Sequence, residues 1–132
     1  MNSDIDYAYP YYRNQAFCLA YGMTSRDMLL SCMAKEDDPN SGVRQMPQHF
    51  SHKDLNIVSQ SSCTGTQFLQ AVGTAFALHR DNNQGICYVS AGEGTTSQGD
   101  FHEALNWASR EKAPVIFHIQ DNGYAISVPI KE

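Results

Sequence analysis

The sequence predicts an α/β fold built on a parallel sheet, and three stretches predict it. Ile86 to Ala91 is a short, apolar, β-forming run, long enough for a buried strand and too short for a helix. After Gly99, Phe101, Ala104, Leu105 and Ala108 form an apolar stripe at helical spacing. Val115 to Ile119 is a second β-rich run, reached once Pro114 has stopped the helix. Strand, helix and strand in that order make a parallel βαβ unit with a right-handed crossover. Gly92–Gly94 and Asp121–Gly123 then lie just past the carboxyl ends of their strands, where open α/β sheets bind ligands.

The 132 residues fit one domain, and at 42% hydrophobic they can bury a core. A formal charge of −5 argues against nucleic acid as a partner. No apolar run approaches the ~18 residues of a membrane span. Met1–Pro10 is polar and reads as no signal peptide. Cys18, Cys32, Cys63 and Cys87 have no CxxC spacing and sit among apolar or small residues. They read as reduced, buried thiols of a cytoplasmic protein.

Taken in order, Met1–Tyr9 is acidic, turn-like and expected to fray. Tyr12 and Arg13 follow. Arg suits a bidentate grip on phosphate and a Tyr hydroxyl adds a donor, although a surface Arg beside core aromatics is the commoner arrangement. Ala16–Tyr21 is a short apolar piece ending at Gly22. Thr24 or Ser25 caps a helix through Lys35, with Met28, Leu29, Cys32 and Met33 on its buried face. Residues 37–56 form a long loop holding His49 and His52; loops beyond about 12–15 residues are usually functional or disordered. Leu55–Val58 reads as a brief strand. Small polar residues then lead into a helix over Thr66–Asn82, with Leu69, Val72, Ala75, Phe76 and His79 at helical spacing and Gly73 open to close packing. The serines before it and Gln67 at its start serve either as ordinary caps or as a cradle for a phosphate or a monovalent cation. Asp81–Gly85 is a surface turn. Asp100 reads as the N-cap of the last helix, with Glu103 completing a capping box.

Glu93 and Asn122 share the site. Asn122 lies 29 positions after Glu93, room for one helix and one returning strand and little else. A carboxylate and an amide oxygen are hard ligands suited to Mg²⁺, which keeps the rest of its octahedron for waters and phosphate oxygens. Gly92 and Gly94 allow close backbone approach to a phosphate, and the following helix adds an electropositive end. A backbone carbonyl near Tyr124 is the expected third protein ligand. The alternative is that Asn122 only closes the Asp121–Gly123 turn.

Gly92-Glu93-Gly94, 26 further residues and then Asp121-Asn122 resemble the thiamine diphosphate motif of thiamine-dependent enzymes. The longer string GEGTTSQGDFHEALNWA…NGYAISVP is similar to the α subunit, or α half, of the E1 component of 2-oxo acid dehydrogenases. The branched-chain (2-oxoisovalerate) type is the nearest match. Tyr12-Arg13, Gly42–Pro47, Ser61-Ser62 and Thr66-Gln67 agree in order with it. The resemblance implies a three-layer, parallel-sheet thiamine diphosphate-binding fold, here partial, with residues 1–132 inside one domain that anchors the diphosphate. It implies cofactor contacts from Tyr12, Arg13, Ser62, Thr64, Gly92, Gly94, Thr95 and Gln120. It implies Mg²⁺ on Glu93, Asn122 and Tyr124, and K⁺ on Ser61, Thr66 and Gln67. It places the 37–56 loop near the active-site mouth and makes His49 a candidate for substrate contact or proton transfer.

Some positions depart from that family's pattern. Glu93 replaces the commoner Asp, Asp121 replaces an Asn, and Gln120 stands where some members have a phosphate-binding Arg. The chain stops before the α part's main histidine and regulated loop, and the β part is missing, so it reads as a piece. The activity implied is oxidative decarboxylation of a 2-oxo acid with acyl transfer to lipoyl. The partners implied are an E1 β subunit or half and an E2 lipoyl acyltransferase, and the isolated chain is expected to be inactive. The alternatives are an E1 of the pyruvate or acetoin type, and a non-catalytic subunit-association domain. Self-association is expected from the apolar faces of the two long helices, Phe68, Leu69, Val72 and Phe76 on one and Phe101, Leu105 and Trp107 on the other.

Overall fold

The structure is a computed structural model that describes residues 1–131. Three parallel strands form its sheet: β1 (Tyr7–Tyr9), β2 (Cys87–Gly92) and β3 (Val115–Gln120), in the order β1-β2-β3. The register pairs Tyr7 with Cys87 and runs β2 against β3 from Cys87–Val115 to Gly92–Gln120. Four helices are α1 (Gln15–Tyr21), α2 (Ser25–Cys32), α3 (Thr66–Arg80) and α4 (Gly99–Glu111). A small antiparallel hairpin, β4 (Tyr124–Ala125) and β5 (Val128–Pro129), follows the sheet.

The central strand explains the layering. Successive side chains of a strand point to opposite faces, and in β2 both faces are buried. Cys87, Val89 and Ala91 pack with Phe68, Ala71, Val72, Ala75 and Leu78 of α3 and Ala104 of α4. Tyr88 joins Ala8, Cys18, Met23, Phe50 and Ile57 in a second cluster on the opposite face. The sheet therefore lies between an α3–α4 layer and a layer of α1 and loop, the three-layer α/β arrangement expected.

The βαβ unit β2–α4–β3 stands as the sequence predicts. The amino terminus does not: Met1–Tyr9 is no frayed end. The buried carboxylate of Asp6 accepts from the N–H of Ile86 at 2.8 Å and from that of Asn2 at 2.5 Å, and this pins β1 alongside β2. Three residues are too few for a strand to show alternation. Leu55–Val58 forms no strand; Ile57 makes single bridges to Ala8 and His52, beside a 3₁₀ turn at Lys53–Leu55.

Helix faces shift relative to expectation. Thr24 is the cap of α2, with a full capping box to Asp27, but the helix ends at Cys32 and turns Leu29 (59% exposed) and Met33 (62%) to solvent. In α3 the buried hydrophobic residues are Phe68, Ala71, Val72, Ala75 and Leu78; Leu69 and His79 are exposed and Gly73 meets nothing. In α4, Ala104 is buried while Leu105 is exposed. Gln98, not Asp100, is its N-cap, and Glu103 accepts from Trp107 Nε1 at 3.1 Å instead of closing a capping box. All four cysteines are free; Cys18 and Cys87 are buried, whereas Cys32 and Cys63 are exposed. Among the described residues no helix is long and apolar enough to cross a membrane.

Candidate functional site

A pocket of about 410 Å³ opens at the carboxyl ends of the three strands. Tyr11, Tyr12 and Arg13 enter it after β1, Gly92 to Thr95 after β2 and Asn122 after β3. Thr64, just before α3, and Tyr124 to Ile126 of the hairpin complete the wall. This is the place where parallel sheets present their loops to a ligand.

Glu93 opens a 3₁₀ turn directly after β2 and is only 8% exposed. Its Oε2 accepts a long bond, 3.5 Å, from the N–H of Asn122. Its Oε1 is buried with no hydrogen-bond partner among the described residues. A carboxylate oxygen taken out of water without a partner is costly, and a cation is the natural compensation. Asn122 does close its turn: its Oδ1 accepts from the N–H of Tyr124 at 2.9 Å, beside the Asp121 Oδ1 bond to the N–H of Gly123 at 2.7 Å. An amide oxygen has a second lone pair, so turn closure and metal ligation are compatible. Tyr124 pairs with Pro129, which has no N–H to offer the Tyr124 carbonyl. The described residues hold no cluster of three His, Cys, Asp or Glu, so a hard cation here depends on one carboxylate plus neutral oxygens.

In the same lining Arg13 stacks on Tyr12, 4.8 Å from the ring centroid, and donates to its hydroxyl at 2.8 Å. Both are exposed on the wall, a cation and a hydroxyl in a lining that holds one carboxylate, Glu93. Gly92 carries no close neighbour, since an added Cβ would come no nearer than 4.0 Å to the Gln120 carbonyl; its backbone is open to the pocket. Gly94 is different, because a Cβ there would sit 2.6 Å from that of Ala125. The missing side chain is what lets the hairpin close over the Glu93 turn. Burial raises the hydroxyl pKa of Tyr11, against a lowering influence of Arg13.

The pocket gathers Tyr12, Arg13, Thr64, Gly92, Glu93, Gly94, Thr95, Asn122 and Tyr124. Six sequence-predicted residues lie outside its lining. Gln120 is engaged below it: its Oε1 accepts from the Tyr11 hydroxyl and its Nε2 donates to Asn14 Oδ1 at 3.0 Å. His49 Nε2 lies 2.6 Å from Ser62 Oγ and its Nδ1 lies 3.1 Å from the Met46 carbonyl. Ser61 Oγ accepts from the N–H of Cys63 at 3.2 Å, and the Thr66 hydroxyl donates to the Cys63 carbonyl at 2.9 Å. Gln67 is buried and donates to the Ser90 carbonyl at 3.2 Å. Tyr11, Ala125 and Ile126 line the pocket unforeseen. Recognising Tyr9 as the last residue of a strand would have pointed to Tyr11.

Comparison with known proteins agrees with the geometry. Residues 1–132 match the family described as Dehydrogenase E1 component. The chain is 48% identical over 129 residues to the 2-oxoisovalerate dehydrogenase subunit alpha of Bacillus subtilis, covering 98% of this chain and 39% of that protein. It is 43% identical to the mitochondrial 2-oxoisovalerate dehydrogenase subunit alpha of Caenorhabditis elegans, over 96% of this chain and 30% of the relative. It is 38% identical to the mitochondrial subunit alpha 2 of that enzyme in Arabidopsis thaliana, over 96% and 27%. The chain thus spans between 27% and 39% of the length of these curated relatives. Matched along all its residues, the chain belongs to the dehydrogenase E1 component family.

Proposed function

We infer that this chain is the diphosphate- and metal-anchoring part of a thiamine diphosphate-dependent E1 component that acts on a 2-oxo acid, with 2-oxoisovalerate the preferred substrate. The observation that carries the reading is Glu93: a buried carboxylate with an orphaned oxygen, in a strand-end pocket whose lining also holds the Arg13 cation. The similarity to alpha subunits of 2-oxoisovalerate dehydrogenase supports the choice of substrate.

The residues fit a Mg²⁺–diphosphate pair. Glu93, Asn122 and the Tyr124 carbonyl would hold the metal. Tyr12, Arg13, the open backbone at Gly92 and Gly94, Thr95 and Thr64 would hold the diphosphate. Thiamine diphosphate, when bound, supplies the carbanion chemistry of decarboxylation. The chain's own work is electrostatic and positional. Glu93 would supply negative charge to the metal, the Arg13 guanidinium would meet anionic oxygens of the diphosphate, and the hairpin packed against Gly94 would line the site. His49, hydrogen-bonded to Ser62, would orient that serine toward the cofactor or serve a substrate proton. Ser61, Thr66 and Gln67 are the proposed K⁺ group, steadying the start of α3. The partners in this reading are an E1 β subunit and an E2 lipoyl acyltransferase, and the four free thiols fit a reducing, cytoplasmic compartment.

Calorimetric titration of thiamine diphosphate into the α/β assembly, with and without Mg²⁺, tests this. Metal-dependent binding is expected, with 2-oxoisovalerate the best of the 2-oxo acids in a dye-reduction assay. No binding under either condition would leave the chain a subunit-association domain.

A further inference from the structure

Beside the pocket, side chains from β2, from the end of β3 and from the segment after β1 meet in one hydrogen-bonded net. Asn14, 2% exposed, is its centre. Its Nδ2 donates to the Tyr88 hydroxyl at 2.9 Å and to Ser90 Oγ at 2.7 Å. Its Oδ1 accepts from Gln120 Nε2 at 3.0 Å. Gln120 Oε1 accepts from the Tyr11 hydroxyl, and Ser90 Oγ also accepts from the N–H of Tyr11 at 3.2 Å. The N–H of Asn14 closes back on the Tyr11 carbonyl at 2.9 Å. Both donor hydrogens and the acceptor of the Asn14 amide are therefore used, which no apolar residue of its size can reproduce.

The placement of this net bears on the site. Tyr12 and Arg13 are exposed and sit between two buried anchors, Tyr11 and Asn14. Those anchors are tied to Ser90, three residues before Glu93, and to Gln120, two before Asn122. We propose that Asn14 is a positioning residue that holds the Tyr12–Arg13 segment in register with Glu93 and Asn122, so that the guanidinium meets the anionic end of a ligand seated there. This role rests on the function inferred above. It also gives Gln120 a use as a strut in place of a direct cofactor contact.

Two variants test it in the native assembly. Asn14→Leu removes all three amide bonds. Asn14→Asp keeps the acceptor for Gln120, and the Ser90 hydroxyl can turn to donate to the carboxylate, while the Tyr88 hydroxyl stays engaged by His118 Nδ1 at 2.6 Å. Affinity for thiamine diphosphate with Mg²⁺ is read by calorimetry, and exchange of the amides at 11–14 by hydrogen-exchange mass spectrometry. The Leu variant is expected to bind about tenfold more weakly, the cost of one to two buried hydrogen bonds. Its amides at 11–14 should exchange faster while those of α3 do not. The Asp variant should recover part of both readouts, since it keeps the Gln120 and Ser90 bonds but buries a charge. Gln120→Met, which cuts one arm of the net, should act in the same direction and serves if Asn14→Leu fails to fold. Unchanged affinity in folded Asn14→Leu and Gln120→Met, with the wild type binding, would overturn the positioning role alone. A wild type that binds nothing would instead overturn the cofactor reading, and this role with it.

Discussion

Glu93 concentrates the electrostatic argument in one side chain. Removing its charge while keeping its size separates metal ligation from packing. Glu93→Gln is expected to weaken Mg²⁺-dependent cofactor binding by about tenfold or more, a loss of ~1.4 kcal/mol or more. The ligand-free protein should melt no earlier, because a buried, half-partnered carboxylate stabilises nothing on its own. Calorimetry and thermal unfolding read the two effects, and a lowered melting temperature with unchanged metal dependence would contradict the ligand role. The thiols make a second test at this scale. Burial pushes Cys18 and Cys87 up to about 12 from 9.0. Cys32 and Cys63 are exposed. A thiol reagent should therefore modify two cysteines quickly in the native protein and all four after unfolding. The sign of the pH dependence follows from the same shifts. Below pH 9 both the folded and unfolded chains keep these protons; between 9.0 and about 12 only the unfolded chain releases them. Tyr21, moved from 10.0 to about 12 by burial and then by Asp6, adds to the loss. Stability should hold steady up to about pH 9 and decline above it. A denaturation series across pH 7 to 12 that shows no alkaline decline would contradict the burial of these groups.

Among the elements, the β4–β5 hairpin depends on one absent methyl group. Gly94→Ala brings two Cβ atoms to 2.6 Å and must push the hairpin off the Glu93 turn. Overpacking of this kind costs about 1–3 kcal/mol. The hairpin carries Tyr124 and Ala125 of the pocket wall, so cofactor affinity should fall along with stability. Gly94→Ala combined with Ala125→Gly should recover both, and failure of that rescue in melting and titration would show that Gly94 acts by some other route. The same scale shows what was legible in the sequence. The β2–α4–β3 unit was, because its strands reach six residues each, its helix has a stripe, and Pro114 separates them. From that unit Glu93 and Asn122 could be placed side by side. The β1 strand was not legible, because three residues carry no periodicity and its anchor is the distant Asp6–Ile86 bond. The burial of Leu29 and Met33 was misjudged for a related reason. A helical stripe reports that one face is more apolar; here the core takes Met28 but leaves Leu29 and Met33 in solvent. The Asn14 net was invisible because its members are scattered from Tyr11 to Gln120 and only the sheet register brings them together.

For the molecule as a whole, the question is which apolar surface its own fold leaves open. The face of α3 expected to drive association is largely covered, since Phe68 and Val72 lie in the core beneath α4 and β2. The open surface lies later in the chain. Leu105 and Trp107 of α4 are 39% and 41% exposed, and Ile116 of β3 is 48% exposed. Tyr124, Ile126, Val128 and Ile130 are exposed on the hairpin and just past it. β3 also forms one edge of the described sheet, with nothing paired on its outer side. A parallel sheet is normally covered on both faces, and an open edge next to apolar side chains is a template for pairing. The chain alone is therefore expected to self-associate, in a concentration-dependent way seen by sedimentation velocity. Ile116→Lys places a charge on the uncovered face of that edge strand and should shift the distribution toward monomer with only a small drop in melting temperature, because Ile116 is already 48% exposed on its own chain. The β subunit proposed as partner is expected to compete for this surface. Its addition should replace self-association with a mixed complex, and the Lys variant should weaken that complex too. Monomer at every concentration, with β subunit present or absent, would place the contact surface elsewhere.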